Sequence, residues 1–378
     1  MPHVTGFDLP FSFSVVFAFL FGLAIGSFIN VVIHRVPRGE SIVRPGSRCP
    51  SCNAAIRAFD NLPLLSYAVL RGRCRQCRKW ISPVYPLVEL LTGLMFVALL
   101  FKTGPTWEIL LEFVFASVMI ALIFIDARHQ KLPDAVIYPA FVFALIGATV
   151  RAGWGEQTSF TIDISIIIPG MESEFEAWRA ALFGALLFAL AAPGFSLLNQ
   201  LDPILFGKYY DWEEADEEID EAQARREERQ RDHAIAATMI FGLIVAIVWA
   251  AMVVFFSAKN QRVSEEAYGG LLRASSGALI GGGFIWWVRA GYFFIRKLDG
   301  AGLGDVKMMS VVGAFLGWLG AFGVLLLGSI LGSVIGVILA YRSKRGLKTR
   351  LPFGVSLGIA SLIVMLTATP FFRWYIGQ

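Results

Sequence analysis

The amino-acid sequence predicts an all-α polytopic membrane protein, with about ten transmembrane helices and a small cytoplasmic zinc-binding loop domain. Three observations predict it. The chain is 56% hydrophobic and only 16% charged, with a mean hydropathy of +0.63. Several apolar runs reach the roughly 20 residues that a helix needs to cross a bilayer. All four cysteines fall in one basic, polar stretch between the first two of those runs.

The spans follow in order. The run from Phe11 to Ile33 is too long for a signal-peptide core and lacks a basic segment before it, so it reads as the first span. Further spans are expected at 86–103, 107–127, 135–152, 177–198, 234–257 and 272–296. The last three fall at 305–319, 321–341 and 353–373, with the break between the first two of these at Gly320. Pro193 interrupts the 177–198 run. This divides the chain into a first helix (1–33), a cysteine loop (34–84), helices carrying Asp126 (85–152), an inserted region (153–270) and helices carrying Asp305 (271–378).

Charge sets the orientation, because short cytoplasmic loops hold an excess of Lys and Arg. Segment 34–84 carries ten of them against two acids, Glu40 and Asp60, and segment 341–350 carries five more. Both are expected in the cytoplasm, which places both termini outside. The loops at 128–134 and 297–305 then also lie on the cytoplasmic side. The net charge of +4 adds little. The bases sit in short loops with no aromatic stacking platform, so no nucleic-acid partner is expected; the lipid bilayer is the expected surroundings.

Cys49 and Cys52 form CPSC, and Cys74 and Cys77 form CRQC, with twenty-one residues between the pairs. Each CxxC aims two thiolates at one ion, and four thiolates with no open position make a structural rather than a catalytic zinc site. Disulfide pairing is the competing reading, and a reducing compartment disfavours it. A loop this small has little apolar surface, so the metal is expected to supply folding energy. His34 lies outside the knuckles and reads as a surface residue.

Asp126 closes one apolar run, within FIDARHQKLPD, and Asp305 opens another, within GAGLGDVKMM. A carboxylate at the edge of a span is costly and marks a functional site. By the orientation above, both reach the same face. Two carboxylates sharing one proton are sufficient for peptide hydrolysis through an activated water. The flanking glycines Gly300, Gly302 and Gly304 permit irregular backbone and close approach of a substrate. Asp134, after Pro133, reads as a helix cap. Lys307 is read as structural, lipid-facing or orienting an aspartate.

These residues fall in ordered blocks that resemble a known family. Gly26-Ser27-Phe28-Ile29-Asn30-Val31 leads to His34-Arg35-Val36-Pro37, then the two cysteine pairs with FDNLPLLSYAVLRGRC between them. ISPVYPLVELLTG from Ile81, the Asp126–Asp134 stretch ending Leu132-Pro133-Asp134, SGALIGGGFIWW from Ser276, GLGDVK from Gly302 and LPFGVSLG complete the set. The chain resembles the type IV prepilin peptidases, GxGD-class intramembrane aspartyl proteases, over 20–150 and 271–365. Ala301 stands where such enzymes often have Met, and 153–270 matches nothing in the family.

The resemblance implies that Asp126 and Asp305 are the catalytic pair of a bacterial inner-membrane enzyme. Its substrates would be prepilins or pseudopilins, cut after a glycine where a basic leader meets an apolar helix at the cytoplasmic face. It also implies methylation of the new N-terminus with S-adenosylmethionine, an activity that goes with the cysteine-bearing half. Asn30, Arg35 and Glu89 are polar groups beside spans and are the candidates for amine or cofactor contacts, with buried structural hydrogen bonds as the alternative. Glu89 has the best claim, since a carboxylate inside YPLVELLTG must face protein or water.

The inserted region holds DWEEADEEIDEAQARREERQRD at 211–232, with eleven acids and four arginines clustered toward its end. Its composition suits a solvated helix. TIDISIII, within 153–176, reads as a short strand. Two other functions stay open from the residues alone: a protease without methylation, and an ion- or proton-coupled transporter whose paired aspartates bind the ion. A transporter needs access from both faces, whereas these aspartates are expected near one.

Overall fold

A computed structural model describes residues 10–49, 51–153, 261–296, 302–342 and 353–376. Over these residues the protein is helical, with no named strand and only two isolated bridges, Arg48 to Ala55 and Arg73 to Trp80. The described helices are numbered here α1 (Phe11–Arg35), α2 (Leu65–Val69), α3 (Val84–Thr103), α4 (Ile109–His129), α5 (Asp134–Gly153), α6 (Gln261–Arg296), α7 (Leu303–Arg342) and α8 (Phe353–Ile376).

Among the described residues, five helices are long and apolar enough to cross a membrane. Four of them match the spans expected at 11–33, 86–103, 107–127 and 135–152. The fifth, Leu303–Leu339, contains both spans expected at 305–319 and 321–341. The Phe353–Thr367 helix is apolar but shorter. Helix α6 begins eleven residues before the span expected at 272–296, and its serines, glycines and arginines dilute its apolar character. The expected spans 177–198 and 234–257, the strand at TIDISIII and the acidic segment 211–232 lie outside the described residues. These helices make the chain a multi-pass membrane protein.

The expected break at Gly320 is displaced. Helical geometry is lost instead at Gly317, with φ 74° and ψ 177°. A side chain is strongly disfavoured in that conformation, so of the glycines nearby the backbone turns at the one whose dihedrals require it.

The described residues group into two compact units. The first holds α1 to α4, the cysteine loop, the end of α7 and most of α8. Here α1 and α3 pack closely: a Cβ on Gly26 would stand 2.6 Å from the Glu89 Cα. Phe96 of α3 stacks on Phe113 of α4 at 3.9 Å between centroids. At the α3–α4 turn, buried Glu112 accepts from Lys102 at 2.8 Å and Thr103 at 2.7 Å, so both carboxylate oxygens are satisfied.

The second unit holds α5, α6 and the first part of α7. Its core joins Val142, Ala144 and Leu145 of α5 to Leu271, Ala274 and Ala278 of α6 and Ala314 of α7. Small residues at such contacts let helices approach closely where no hydrophobic drive separates lipid from protein.

Candidate functional site

The cysteine loop folds as two similar knuckles. In the first, the Cys49 N–H donates to Ala54 O at 2.9 Å and the Asn53 N–H to Cys49 O at 2.9 Å. In the second, the Cys74 N–H donates to Lys79 O at 2.9 Å and the Arg78 N–H to Cys74 O at 3.0 Å. Asn53 and Arg78 hold the corresponding left-handed positions, φ 59° and 57°. This repeated turn brings the four Sγ atoms within 4.8 Å of one another, with Cys49–Cys77 at 3.9 Å and Cys52–Cys74 at 4.0 Å. A tetrahedral zinc with Zn–S near 2.3 Å spaces its sulfurs about 3.8 Å apart, whereas a disulfide needs about 2.05 Å. The cluster therefore suits a metal ion.

The knuckle backbone tunes the thiols. N–H groups of Cys77 and Gln76 pull Cys74 down to about 6. At Cys52 the Ala54 N–H favours the thiolate, but burial and the protons shared with Cys49, Cys77 and Cys74 push it up to about 11. A divalent cation replaces those shared protons when it binds.

Around this loop sit three of the polar candidates. Arg35, at the end of α1, donates to Ser41 O at 3.0 Å and Gly46 O at 3.2 Å, holding the segment that leads into Cys49. Asn30, 8% exposed, donates through Nδ2 to Tyr85 O at 3.0 Å. Half-buried Glu89 accepts from the Leu64 N–H at 2.8 Å and from the Ser27 hydroxyl. Leu64 has φ 57°, so Glu89 secures a strained turn in FDNLPLLSY. All three make the structural hydrogen bonds held as the alternative to ligand contact. His34, also expected outside the knuckles, lies beside Arg38, whose guanidinium approaches its Nδ1 at 2.8 Å.

Asp126 lies in the last turn of α4 and is 6% exposed. Its Oδ2 accepts the Val355 N–H at 3.0 Å, and the Gly354 N–H also donates to its carboxylate. The first N–H groups of a helix have no intrahelical acceptor, so the start of α8 is a ready seat for an anion. The LPFG block marked this stretch in the sequence, but nothing local said that its backbone serves a carboxylate so distant in the chain.

Asp305 sits in the first turn of α7 and is 9% exposed. Its N–H donates to Gly302 O at 3.1 Å, closing the turn that enters the helix. Asp134 begins α5, as its place after Pro133 predicts. Its carboxylate is engaged on both oxygens: Lys307 Nζ lies 2.7 Å from Oδ1, and the Tyr138 hydroxyl donates to Oδ2 at 3.0 Å. Lys307 is 4% exposed, which removes the lipid-facing reading. Tyr138 escaped sequence analysis, although its i, i+4 spacing from Asp134 was visible.

The family described as Bacterial Peptidase A24 N-terminal domain matches residues 20–103. The chain is 42% identical over 200 residues to a prepilin leader peptidase/N-methyltransferase of Myxococcus xanthus, covering 46% of this chain and 59% of that protein. Proteins of the same name from Aeromonas hydrophila and Burkholderia pseudomallei align almost throughout. The first is 28% identical over 96% of this chain and 93% of its own length. The second is 24% identical over 96% and 89%. No solved structure matches the chain. With ordered motifs, a matching N-terminal domain and similarity along nearly its whole length, the chain resembles the prepilin leader peptidase/N-methyltransferases.

Proposed function

We propose that this protein removes the basic leader from type IV prepilins or pseudopilins at the cytoplasmic face of the bacterial inner membrane, and N-methylates the new terminus. The observation that carries it is similarity over 96% of the chain to a protein named for both activities.

Cleavage is assigned to Asp126 and Asp305. Each is buried at the end of an apolar helix, and an aspartyl mechanism uses one ionised and one protonated carboxylate. The ionised member takes a proton from water, whose oxygen attacks the scissile carbonyl. The protonated member hands its proton to the carbonyl oxygen, and the proton gained from water passes to the leaving amine as the C–N bond breaks. The N–H groups at the start of α8 fix the rotamer of Asp126 and so the direction from which it acts. Gly302 and Gly304 carry no side chain that would obstruct an extended substrate backbone beside Asp305.

The four cysteines are assigned to structural zinc, consistent with their spacing. S-adenosylmethionine supplies the methyl group when bound. Asn30, Arg35 and Glu89 are the proposed contacts for the donor or the acceptor amine. Glu89 fits that role by charge, because a half-buried carboxylate attracts the pilin ammonium group and the positively charged donor alike. Asn30 holds the Tyr85 carbonyl, and Arg35 holds those of Ser41 and Gly46.

The test uses the full-length protein in detergent with a prepilin and a methyl-labelled donor. Release of the leader and label on the mature N-terminus are expected. An intact prepilin after prolonged incubation with folded, zinc-loaded protein contradicts the proposal.

A further inference from the structure

Lys307 is a buried cation that leader cleavage does not obviously need, two residues beyond Asp305. Burying an ammonium is expensive unless it is paired. Here it is paired across helices: Nζ lies 2.7 Å from Asp134 Oδ1, joining residues 173 apart in the chain. The pair is not left half-satisfied. Tyr138, one turn along α5, donates to the other oxygen at 3.0 Å. The ammonium also stands 5.7 Å from the Tyr138 ring centroid, within reach of the ring's negative face.

Helical geometry says what this contact controls. Successive residues rotate by about 100°, so Asp305 and Lys307 point in directions about 200° apart. Lys307 reaches Asp134 at the start of α5, so Asp305 projects from a different side of α7. Neighbouring Val306, Met308, Met309, Val311 and Val312 are buried too, so apolar packing already holds α7 in place. Apolar contacts tolerate small rotations, whereas a hydrogen-bonded ion pair does not. A pair of this kind, with its cation buried and its carboxylate partly exposed, is best suited to fixing register.

We propose that Lys307, through Asp134 and Tyr138, is a positioning residue for leader cleavage: it sets the rotation of the first turn of α7 and thereby the direction of the Asp305 carboxylate. The inference rests on Asp305 being a catalytic aspartate.

The experiment compares full-length wild type with Lys307→Gln, Lys307→Arg, Asp134→Asn, Tyr138→Phe and Asp305→Asn. Each is assayed for prepilin cleavage (kcat and KM) and for methyl transfer to a pre-cleaved pilin. Lys307→Gln and Asp134→Asn should lower cleavage kcat about ten- to hundredfold, because small misplacements of reacting groups cost that much. KM should stay within about threefold, since substrate binding is untouched. Lys307→Arg keeps the charge and should recover to within about threefold of wild type, and Tyr138→Phe should fall about two- to fivefold.

Methyl transfer should persist throughout and reports that each variant is folded. Should Lys307→Gln fail to fold, Asp134→Asn and Tyr138→Phe carry the test. Unchanged cleavage kcat in folded variants, or a parallel loss of cleavage and methyl transfer that Lys307→Arg does not restore, overturns the positioning role. Asp305→Asn separates the two claims. If it cleaves normally, the catalytic reading falls; if it is inactive while folded Lys307→Gln cleaves normally, only the positioning role falls.

Discussion

Asp126 and Val355 lie 229 positions apart in the chain, and the Val355 N–H donates to Asp126 Oδ2 at 3.0 Å. A carboxylate that ends one apolar helix is thus seated on the opening turn of another. The donor is backbone, so its contribution can be removed without altering the side chain of Asp126.

Val355→Pro deletes that N–H in the first turn of α8, where proline is best tolerated and where no intrahelical bond is lost. Leader cleavage should drop about tenfold, in line with losing one hydrogen bond to a charged group. Val355→Ala keeps the donor and should cleave within about twofold of wild type. Steady-state cleavage of a prepilin by the two variants checks this.

Removing the metal should act on the loop before it acts on the membrane helices. Folding energy in small four-cysteine loops comes largely from the ion. Cys74→Ser, or a strong chelator, should release about one zinc per chain and expose the 34–84 segment to limited proteolysis. Because Arg35 and Glu89 hold this same segment through Ser41, Gly46 and Leu64, methyl transfer should fail earlier than cleavage. Metal analysis alongside a timed digest followed by mass spectrometry measures the order of events.

Asp60 and Arg75 give a titration with a definite sign. Arg75 donates to both Asp60 oxygens, at 2.6 Å and 2.8 Å for the shortest contacts, and holds the Asp60 carboxyl below the usual carboxylate range. A depressed folded value means that the stabilisation is present above the unfolded value of about 3.9 and is lost as pH falls through the folded one. Carbon-detected NMR should find the Asp60 midpoint under about 3.9 in the wild type and moved upward in Arg75→Gln. Equal midpoints in the two proteins would remove the interaction.

Gly26 should resist substitution. A Cβ there would meet the Glu89 Cα at 2.6 Å, a distance that backbone can relieve only by moving α1 from α3. Gly26→Ala should destabilise the protein by about 1–3 kcal/mol, the range for overpacking a tight contact. It should also shift the Glu89–Leu64 hydrogen bond. Thermal unfolding in detergent gives the first, and amide exchange at Leu64 gives the second.

Much of this was legible in the chain, and the remainder divides cleanly by distance. The cysteine cluster, the helices near the expected boundaries and the placing of Asp126 and Asp305 at helix ends all follow from local pattern: CxxC spacing, apolar run length, a carboxylate at an edge. What local pattern does not carry is pairing between remote segments. Nothing around Val355 announces an aspartate partner, and nothing around Lys307 points to Asp134. The break at Gly317 rather than Gly320 has a different cause. Glycine permits the turn at either position, and nothing in the local sequence says which of them adopts the positive φ.

The central claim is that Asp126 and Asp305 share the hydrolytic step while methylation proceeds elsewhere. The most direct measurement is prepilin cleavage by folded Asp126→Asn and Asp305→Asn proteins, with methyl transfer to pre-cleaved pilin as the internal control. Each variant should lose cleavage by at least about a thousandfold, within the span attributed to positioned acid–base groups, and keep methyl transfer. Cleavage at the wild-type rate by either variant would contradict the assignment.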